Sequence, residues 1–189
     1  MTPRIPKAEL PMQLKEALAQ QLGAVPEPVE VAFNQPAVAT ASLEFSAKAA
    51  AWDAVDEGLK TFAHMAVAAQ VGCGWCLDVN YFAALNQDLD LDKASQVPDW
   101  RASDVFTPLE REVMEYSEAM TNTPPTVSDE LSGSLLRQLG PAGLVELTVF
   151  VGIANLSTRV NTAHGITSQG YSEACRIPLA ERPRTASAA

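Results

Sequence analysis

The sequence has few cysteines and histidines, no long apolar run and no cluster of basic residues. Three cysteines and two histidines among 189 residues leave few ligands for a zinc site. No apolar run approaches the roughly 18–20 residues that a membrane span needs, and no cluster of lysine and arginine is visible. We therefore expect neither a membrane nor a nucleic acid as a partner.

Composition and charge favour a soluble single domain. The 13 basic and 23 acidic residues give a net charge of -10, which most simply serves solubility. A length of 189 residues fits one domain with a full core, and an apolar fraction of 47% excludes a disordered chain. The N-terminus has no apolar signal core, so the expected location is cytoplasmic. There a dithiol is kept reduced, and any disulfide is transient and catalytic.

Signals of β structure are also missing, since neither strand alternation nor an Asn-Gly or Asp-Gly hairpin pair occurs. The expected fold class is therefore all-α. Residues 1–37 are rich in proline and predict an extended arm with one short helix at about 11–22. Residues 38–177 form the helical domain, and residues 178–189 are expected to be a flexible tail.

Helix boundaries inside the domain are well signalled. Segments 40–56, 59–71 and 75–87 have helical patterns, and Thr107, Pro108 and Glu110 predict the start of another helix. The pair Gly140-Pro141 separates two further helices. We expect residues 141–164 to be the longest helix, which is apolar nearly all round. Such a helix is buried centrally or by another subunit, so we expect a homo-oligomer.

Two of the three cysteines form the sequence Cys73-Gly74-Trp75-Cys76 at the join between helices 59–71 and 75–87. A helix start favours a thiolate through its dipole and its unpaired N–H groups, and either cysteine could be the thiol of lower pKa. The spacing alone does not show whether the pair is a redox-active dithiol, two of the ligands of a zinc site or a buried structural pair. The further zinc ligands would be His64, His164 or Cys175. They offer no second close pair, so we expect neither a metal nor a cofactor.

Three neighbours of the dithiol are candidate supporting residues. Asn80 lies four residues beyond Cys76 on the same helix face, where an amide can donate a hydrogen bond but cannot carry a proton. His64 could face the dithiol if the two helices pack as a hairpin, or it could be an ordinary core histidine. Trp75 either packs or shapes the access of a substrate. Cys175 stands alone and is expected to be an incidental thiol.

The dithiol segment resembles a known family. The stretch from Val67 to Asp78 is similar to the signature of the carboxymuconolactone decarboxylase family, in particular its alkylhydroperoxidase D-like branch. The resemblance continues through residues 97–101, 106–112 and 145–148 and through the spacing of Asn155 and Arg159. It covers about residues 40–165.

This resemblance implies an all-helical domain that assembles into homo-oligomers, often trimers or hexamers. The redox branch reduces hydroperoxides with its dithiol. Cys76 would react with the peroxide and become a sulfenic acid, and Cys73 would then react with this sulfenic acid to form a disulfide. A thiol or dithiol reductant protein would then reduce that disulfide. Lactone decarboxylation does not depend on such a dithiol, so the pair argues against that branch.

The chain departs from the family pattern at two positions. A Glu twelve residues before the first cysteine is replaced by Thr61, and a His four residues after the second cysteine is replaced by Asn80. Those residues would form a proton relay, which is commonly worth about 10²–10⁴-fold in rate. We therefore expect a weak thiol peroxidase or disulfide oxidoreductase unless His64 substitutes. The alternative is a non-catalytic member that keeps the fold for binding or redox sensing.

Overall fold

The computed structural model describes residues 2–175 and 177–182, and within these ranges the chain is helical with no β-strand. The expected all-α fold is therefore confirmed. The α-helices are α1 Met12–Leu22, α2 Glu27–Ala32, α3 Pro36–Ala49, α4 Glu57–Val71, α5 Gly74–Asn86, α6 Leu91–Ser95, α7 Pro108–Thr121 and α8 Asp129–His164. Two short 3-10 helices, Val97–Ala102 and Tyr171–Ala174, complete the described elements.

Helices α4 and α5 form a hairpin that carries the dithiol at its turn. Asp56 starts α4 by accepting hydrogen bonds from the N–H groups of Gly58 and Leu59. Gly72 ends α4 with a φ of 80°, a left-handed conformation that glycine adopts without strain. Cys73 then follows directly as the N-terminal cap of α5. The chain therefore reverses direction within two residues.

Helices α7 and α8 complete the core around α4. Thr107 and Glu110 form the predicted capping box of α7. Residues 129–164 form one element with a break at Gly140, whose φ is 69°. The stretch 141–164 that we expected to be the longest helix is thus the part of α8 that follows this break. One face of this stretch is buried in the core, with Leu147, Val151 and Ala154 fully buried, while other apolar side chains of the same stretch are exposed.

A buried ion pair fixes the loop before α4. Lys60 and Glu146 are both buried, and their Nζ and Oε1 atoms are 3.5 Å apart. The carboxylate of Glu146 also accepts the backbone N–H groups of Ala54 and Val55 at 2.8 and 3.2 Å. Because both charges are paired and hydrogen-bonded, their burial is tolerated, and α4 is tied to α8.

The two ends of the chain differ from the sequence expectation. The arm contains a second helix, α2, and α3 begins at Pro36 and ends at Ala49, whereas we expected a helix over 40–56. Proline fits the first turn of a helix, and that is its position in α2 and α3. Residues 178–182 of the predicted tail lie against the domain, where the N–H of Ala180 donates to the carbonyl of Ser95 at 2.8 Å. Residues 183–189 of that tail lie outside the described residues.

Candidate functional site

The dithiol lies in the first turn of α5. Cys73 and Cys76 are joined by a disulfide, and their Cα atoms are 5.4 Å apart. The Sγ atom of Cys73 accepts the backbone N–H of Cys76 at 3.2 Å, so this sulfur serves as the helix cap. Both residues are buried, with exposed fractions of 2% and 1%. The arrangement supplies a pair of sulfurs that can cycle between dithiol and disulfide without moving the backbone far.

The surroundings of the two sulfurs are mostly apolar. Ala68 of α4 packs against both cysteines, and Trp75 and Leu77 contact the same cluster. The one side-chain hydrogen bond to a sulfur among the described residues comes from Asn161 of α8, whose Nδ2 atom lies 3.3 Å from Cys76 Sγ. A dry environment strengthens this contact because no solvent competes with it.

The two positions of the expected proton relay do not contact the sulfurs. The Oγ1 atom of Thr61 donates to Oε1 of Gln87 at 3.0 Å, beyond the C-terminal end of α5. Asn80 donates through Nδ2 to the backbone carbonyl of Cys76 at 2.7 Å, so its amide is occupied by its own helix. Neither group titrates near neutral pH, and the structure gives neither of them a direct role at sulfur.

His64 points from α4 to α8. Its Nε2 atom lies 3.5 Å from Ser157 Oγ, and its ring packs edge-on against Phe150 with centroids 6.2 Å apart. Desolvation by the surrounding atoms lowers the pKa of His64 to about 4, although the side chain retains part of its solvent exposure. The imidazole is therefore neutral at pH 7. It lies one helical turn before Ala68, the α4 residue that packs against the dithiol.

Asp78 organises the segment that follows α8. Its carboxylate is 2% exposed and accepts the backbone N–H groups of Gln169, Gly170, Tyr171 and Ser172 at 2.7–3.1 Å. The hydroxyl of Ser168 donates to the same carboxylate at 2.8 Å. Burial alone would raise the pKa of this carboxyl, but the hydrogen bonds outweigh it and hold the pKa below its usual value. Segment 168–172 is thereby anchored beside the start of α5.

Trp75 connects the dithiol turn with the N-terminal arm through Gln169. The indole Nε1 donates to Oε1 of Gln169 at 2.6 Å, and the same oxygen accepts the N–H of Glu27 at 2.8 Å. The Nε2 atom of Gln169 in turn donates to the carbonyl of Val25 at 3.1 Å. Trp75 also packs edge-on against Tyr171, with ring centroids 6.3 Å apart. Trp75 therefore packs against the dithiol cluster, and a role of this side chain in substrate access stays a prediction.

The remaining cysteine and the candidate metal ligands lie apart from the dithiol. Cys175 is buried and free, and its thiol donates to the carbonyl of Tyr81 at 3.7 Å. Burial raises the pKa of this thiol, with a further contribution from the charge of Asp78. Within residues 2–175 and 177–182, no three His, Cys, Asp or Glu side chains are grouped closely enough to hold a metal ion.

A separate polar cavity of about 820 Å³ opens near the end of α7. Its walls include Gln70, Arg101, Glu118 and Arg182, and neither Cys73 nor Cys76 lines it. Glu118 accepts from the indole of Trp100 and pairs with both arginines. This cavity is therefore distinct from the candidate redox site.

Two residues of the site were not predicted from the sequence. Asn161 follows Cys76 by 85 positions and Gln169 follows Trp75 by 94. Asn161 carries little signal, because Asn155, Ser157, Thr158, Arg159 and Thr162 make this end of α8 polar, and only its burial shows that it needs a partner. Gln169 has no comparable signal, since it lies in an irregular segment after Gly165.

Comparison with known proteins agrees with this architecture. The sequence model of the carboxymuconolactone decarboxylase family matches residues 36–119. The chain is 36% identical over 124 residues to the uncharacterized protein YnjA of Escherichia coli strain K12. This alignment covers 66% of each chain, just under two thirds. The chain carries a carboxymuconolactone decarboxylase family segment over residues 36–119, and its fold is that of AhpD-like proteins.

Several solved structures share this fold. A peroxidase-related protein with an alkylhydroperoxidase AhpD core from Ralstonia eutropha JMP134 superposes with a TM-score of 0.79. It is 18% identical, and the match covers 93% of this chain and 97% of that one. The debrominase Bmp8 superposes with a TM-score of 0.75 at 19% identity, over 85% of this chain and 87% of that one. At these identities the likeness concerns the fold alone.

Proposed function

We propose that this protein is a thiol-dependent peroxidase that reduces a hydroperoxide with the Cys73–Cys76 dithiol. The observation that carries the proposal is a dithiol at a helix start, with each sulfur receiving one hydrogen bond from a neutral N–H donor. Such donors favour a thiolate, which is the form that attacks an O–O bond. The peroxidase-related proteins that share the fold support the same reaction.

The proposed reaction has three steps, namely oxidation of Cys76, formation of the disulfide and its reduction by an external thiol. The thiolate of Cys76 attacks one peroxide oxygen, so an S–O bond forms, the O–O bond breaks and the alkoxide leaves, taking a proton to become an alcohol. The thiolate of Cys73 then attacks the sulfenic sulfur, and hydroxide leaves and is protonated to water. Two thiols of an external thiol or dithiol protein finally reduce the disulfide and are themselves oxidised to a disulfide.

The expected turnover is slow because proton delivery is poorly supplied. Thr61 and Asn80 do not titrate, and His64 is directed to Ser157 rather than to sulfur. The departing alkoxide must therefore take its proton from water, because the neutral imidazole of His64 is a poor acid. The same dithiol could instead reduce a disulfide of a partner protein, a reaction whose leaving group is a thiolate and needs less help from an acid.

Burial of both sulfurs favours a second candidate, a non-catalytic redox sensor. Cys73 and Cys76 are only 2% and 1% exposed, so a substrate reaches their sulfurs only when a neighbouring side chain such as Trp75 moves. Slow access suits a protein that is oxidised once and then signals through its changed shape. The observable difference from a peroxidase is the number of peroxide molecules consumed per protein.

The deciding experiment measures hydroperoxide consumption by the reduced protein with excess dithiothreitol. Many equivalents consumed per protein, above the rate of dithiothreitol alone, are expected for the peroxidase. One equivalent, with formation of the Cys73–Cys76 disulfide and no turnover in the presence of reductant, indicates the sensor. The double variant Cys73→Ser, Cys76→Ser is the control and should consume none.

The exposed face of α8 supports a proposal about assembly and location. Val145, Val149, Leu156 and Val160 recur at helical spacing along α8, and all four are exposed in the single chain. By length and composition α8 could also cross a membrane, yet the same features describe a helix that packs against another subunit. We propose a homo-oligomer, a trimer or hexamer, in the cytoplasm, with this face covered by a second copy of the chain.

A further inference from the structure

Asn161 joins α8 to the dithiol turn through one contact. Its side chain is buried, with 5% of the residue exposed, and its Nδ2 atom lies 3.3 Å from Cys76 Sγ. A disulfide sulfur is a weak acceptor, so this contact gains little in the oxidised protein. A thiolate in the same place is a charged acceptor, and hydrogen bonds to charged groups are about twice as strong as neutral ones.

The charged and titratable side chains on the elements packed around Cys76 are engaged elsewhere or belong to other contacts. Asp78 binds segment 168–172, His64 faces Ser157, and Arg159 donates to the carbonyl of Thr121. Lys60 is paired with Glu146 and Glu57, and the hydroxyl of Tyr81 donates to the carbonyl of Ile177. The others on these elements are Tyr171 beside Trp75, Glu173 in the second 3-10 helix, His164 at the C-terminal end of α8, and Asp129, Glu130 and Arg137 in the part of α8 before Gly140.

The two sulfurs therefore differ in the origin of their donor. Cys73 accepts a backbone N–H of its own helix, which no substitution at Cys76 other than proline removes. Cys76 accepts from a side chain of another helix, 85 positions away in sequence. The donor to Cys76 can consequently be lost without disturbing the cap of α5.

We propose that Asn161 is a positioning residue that donates a hydrogen bond from Nδ2 to the thiolate of reduced Cys76, and so selects this sulfur as the attacking one. Because an amide does not titrate, the donor is present at every pH at which the protein is folded. This inference rests on the proposed function for its catalytic meaning, while its effect on the thiol is measured without any substrate.

The test uses a background in which Cys76 is the only thiol, namely Cys73→Ser with Cys175→Ser. Thiolate absorbance in the ultraviolet is titrated against pH, so no reagent has to reach the buried sulfur. Removing the donor by Asn161→Leu should raise the pKa of Cys76 by about one pH unit, the scale of a hydrogen bond to a charged group. Asn161→Asp has the size of asparagine and adds a like charge, so it should raise the pKa at least as far.

The matched control is Asn155→Leu, which removes another half-buried amide of α8. Asn155 donates to Thr121 Oγ1 and to the carbonyl of Val151, not to sulfur, so the pKa of Cys76 should not change. Circular dichroism and thermal unfolding identify the variants that fold, and two substitutions at position 161 guard against the loss of one. A folded Asn161→Leu or Asn161→Asp variant with the parent pKa overturns the inference.

The result separates this inference from the proposed function. If the pKa rises in the Asn161 variants but the wild-type protein consumes no hydroperoxide, the positioning role stands and the peroxidase proposal fails. If the wild-type protein turns over hydroperoxide and the pKa does not change, the positioning role fails. If both hold, Asn161→Leu in the otherwise wild-type chain should lower peroxide turnover by up to about tenfold at a pH below the titrated pKa of Cys76, where one unit of pKa changes the thiolate fraction tenfold.

Discussion

The hydroxyl of Thr61 donates its hydrogen bond to Gln87, at the opposite end of α5 from Cys76. Eleven residues separate Gln87 from Cys76, which at 1.5 Å per residue is roughly 16 Å along the helix. The residue that stands in place of the family's glutamate thus faces away from the sulfurs. Within the part of the chain that the structure describes, no series of hydrogen bonds links position 61 through position 80 to a sulfur, so there is no proton relay along this route.

Restoring both relay positions should test that conclusion. We expect Thr61→Glu with Asn80→His to raise hydroperoxide turnover, by up to about 10²-fold on the usual scale of acid–base catalysis. The reason is that imidazole at position 80, one turn beyond Cys76, can deliver a proton to the departing oxygen. The measurement is initial rate at saturating reductant. His64→Ala is the companion variant, and a large loss there would show that His64 already supplies the proton.

The two cysteines should respond differently to substitution. Cys76→Ser is expected to abolish turnover, whereas Cys73→Ser should accumulate a sulfenic acid or a mixed disulfide because no resolving thiol remains. Mass spectrometry after hydrogen peroxide, with and without a sulfenic-acid trapping reagent, separates these outcomes. In the wild-type chain Cys175 serves as the internal control and should stay unmodified, because burial and the charge of Asp78 raise the pKa of its thiol and no second cysteine is its neighbour. Equal and partial losses in both variants would contradict the assigned roles.

Stability should depend on pH through His64. The pKa is about 4 in the folded protein and 6.5 in the unfolded chain, so the unfolded chain binds the extra proton between these values. The free energy of unfolding should therefore decrease as the pH falls from about 6.5 to about 4, by at most about 3 kcal/mol. Urea unfolding across this range measures it. His64→Leu should flatten the dependence, and an unchanged slope in that variant would rule out His64 as its source.

Removal of the Asp78 charge should loosen segment 168–172. Asp78→Asn keeps the size of the side chain but turns one acceptor oxygen into a donor that faces N–H groups. We expect a loss of about 2–4 kcal/mol, the scale of leaving buried donors unsatisfied. Hydrogen exchange should increase at residues 168–172 while α7 stays protected. Because the pKa of Asp78 is lowered, its stabilisation is present above the usual value of 3.8 and is lost as the pH falls through the folded-state pKa.

The apolar face of α8 gives a prediction about assembly. A charge at its centre, Leu156→Glu, should dissociate the oligomer, because burying an unpaired carboxylate between subunits is costly. Sedimentation velocity at micromolar concentration measures the change. Gln20→Glu adds the same charge to an exposed position of α1 and should leave the assembly intact. A wild-type protein that sediments as a monomer would refute the proposed covering of this face.

Local sequence features were sufficient for much of the architecture. The cap at Thr107, the break at Gly140 and the dithiol at the start of α5 are each encoded within a few residues, and all are confirmed. In the arm, the helix predicted at about 11–22 is α1. Helix α2 was missed and the start of α3 was misplaced because the prolines at positions 28 and 36 were interpreted as helix breakers, whereas they occupy the first turns of these two helices.

The site was harder to predict because its polar contacts cross long stretches of chain. The periodicity of α5 places Asn80 on the face of Cys76, but periodicity cannot show that the amide prefers the carbonyl one turn back. The partners of Cys76 and Asp78 come from α8 and from segment 168–172, at separations of 85 to 94 residues. Such pairs depend on how helices pack, which the pattern within a single helix does not specify.

The oxygen of Gln169 has two donors, the indole of Trp75 and the amide of Glu27, and this sharing has an energetic consequence. If the indole of Trp75 moves away, Gln169 loses one of the contacts that fix its side chain, so its hydrogen bonds with Glu27 and Val25 become easier to break. If those hydrogen bonds break first, the indole is left with a less constrained partner. Movement of Trp75 and release of residues 25–27 should therefore be coupled, and by linkage each should favour the other to the same extent.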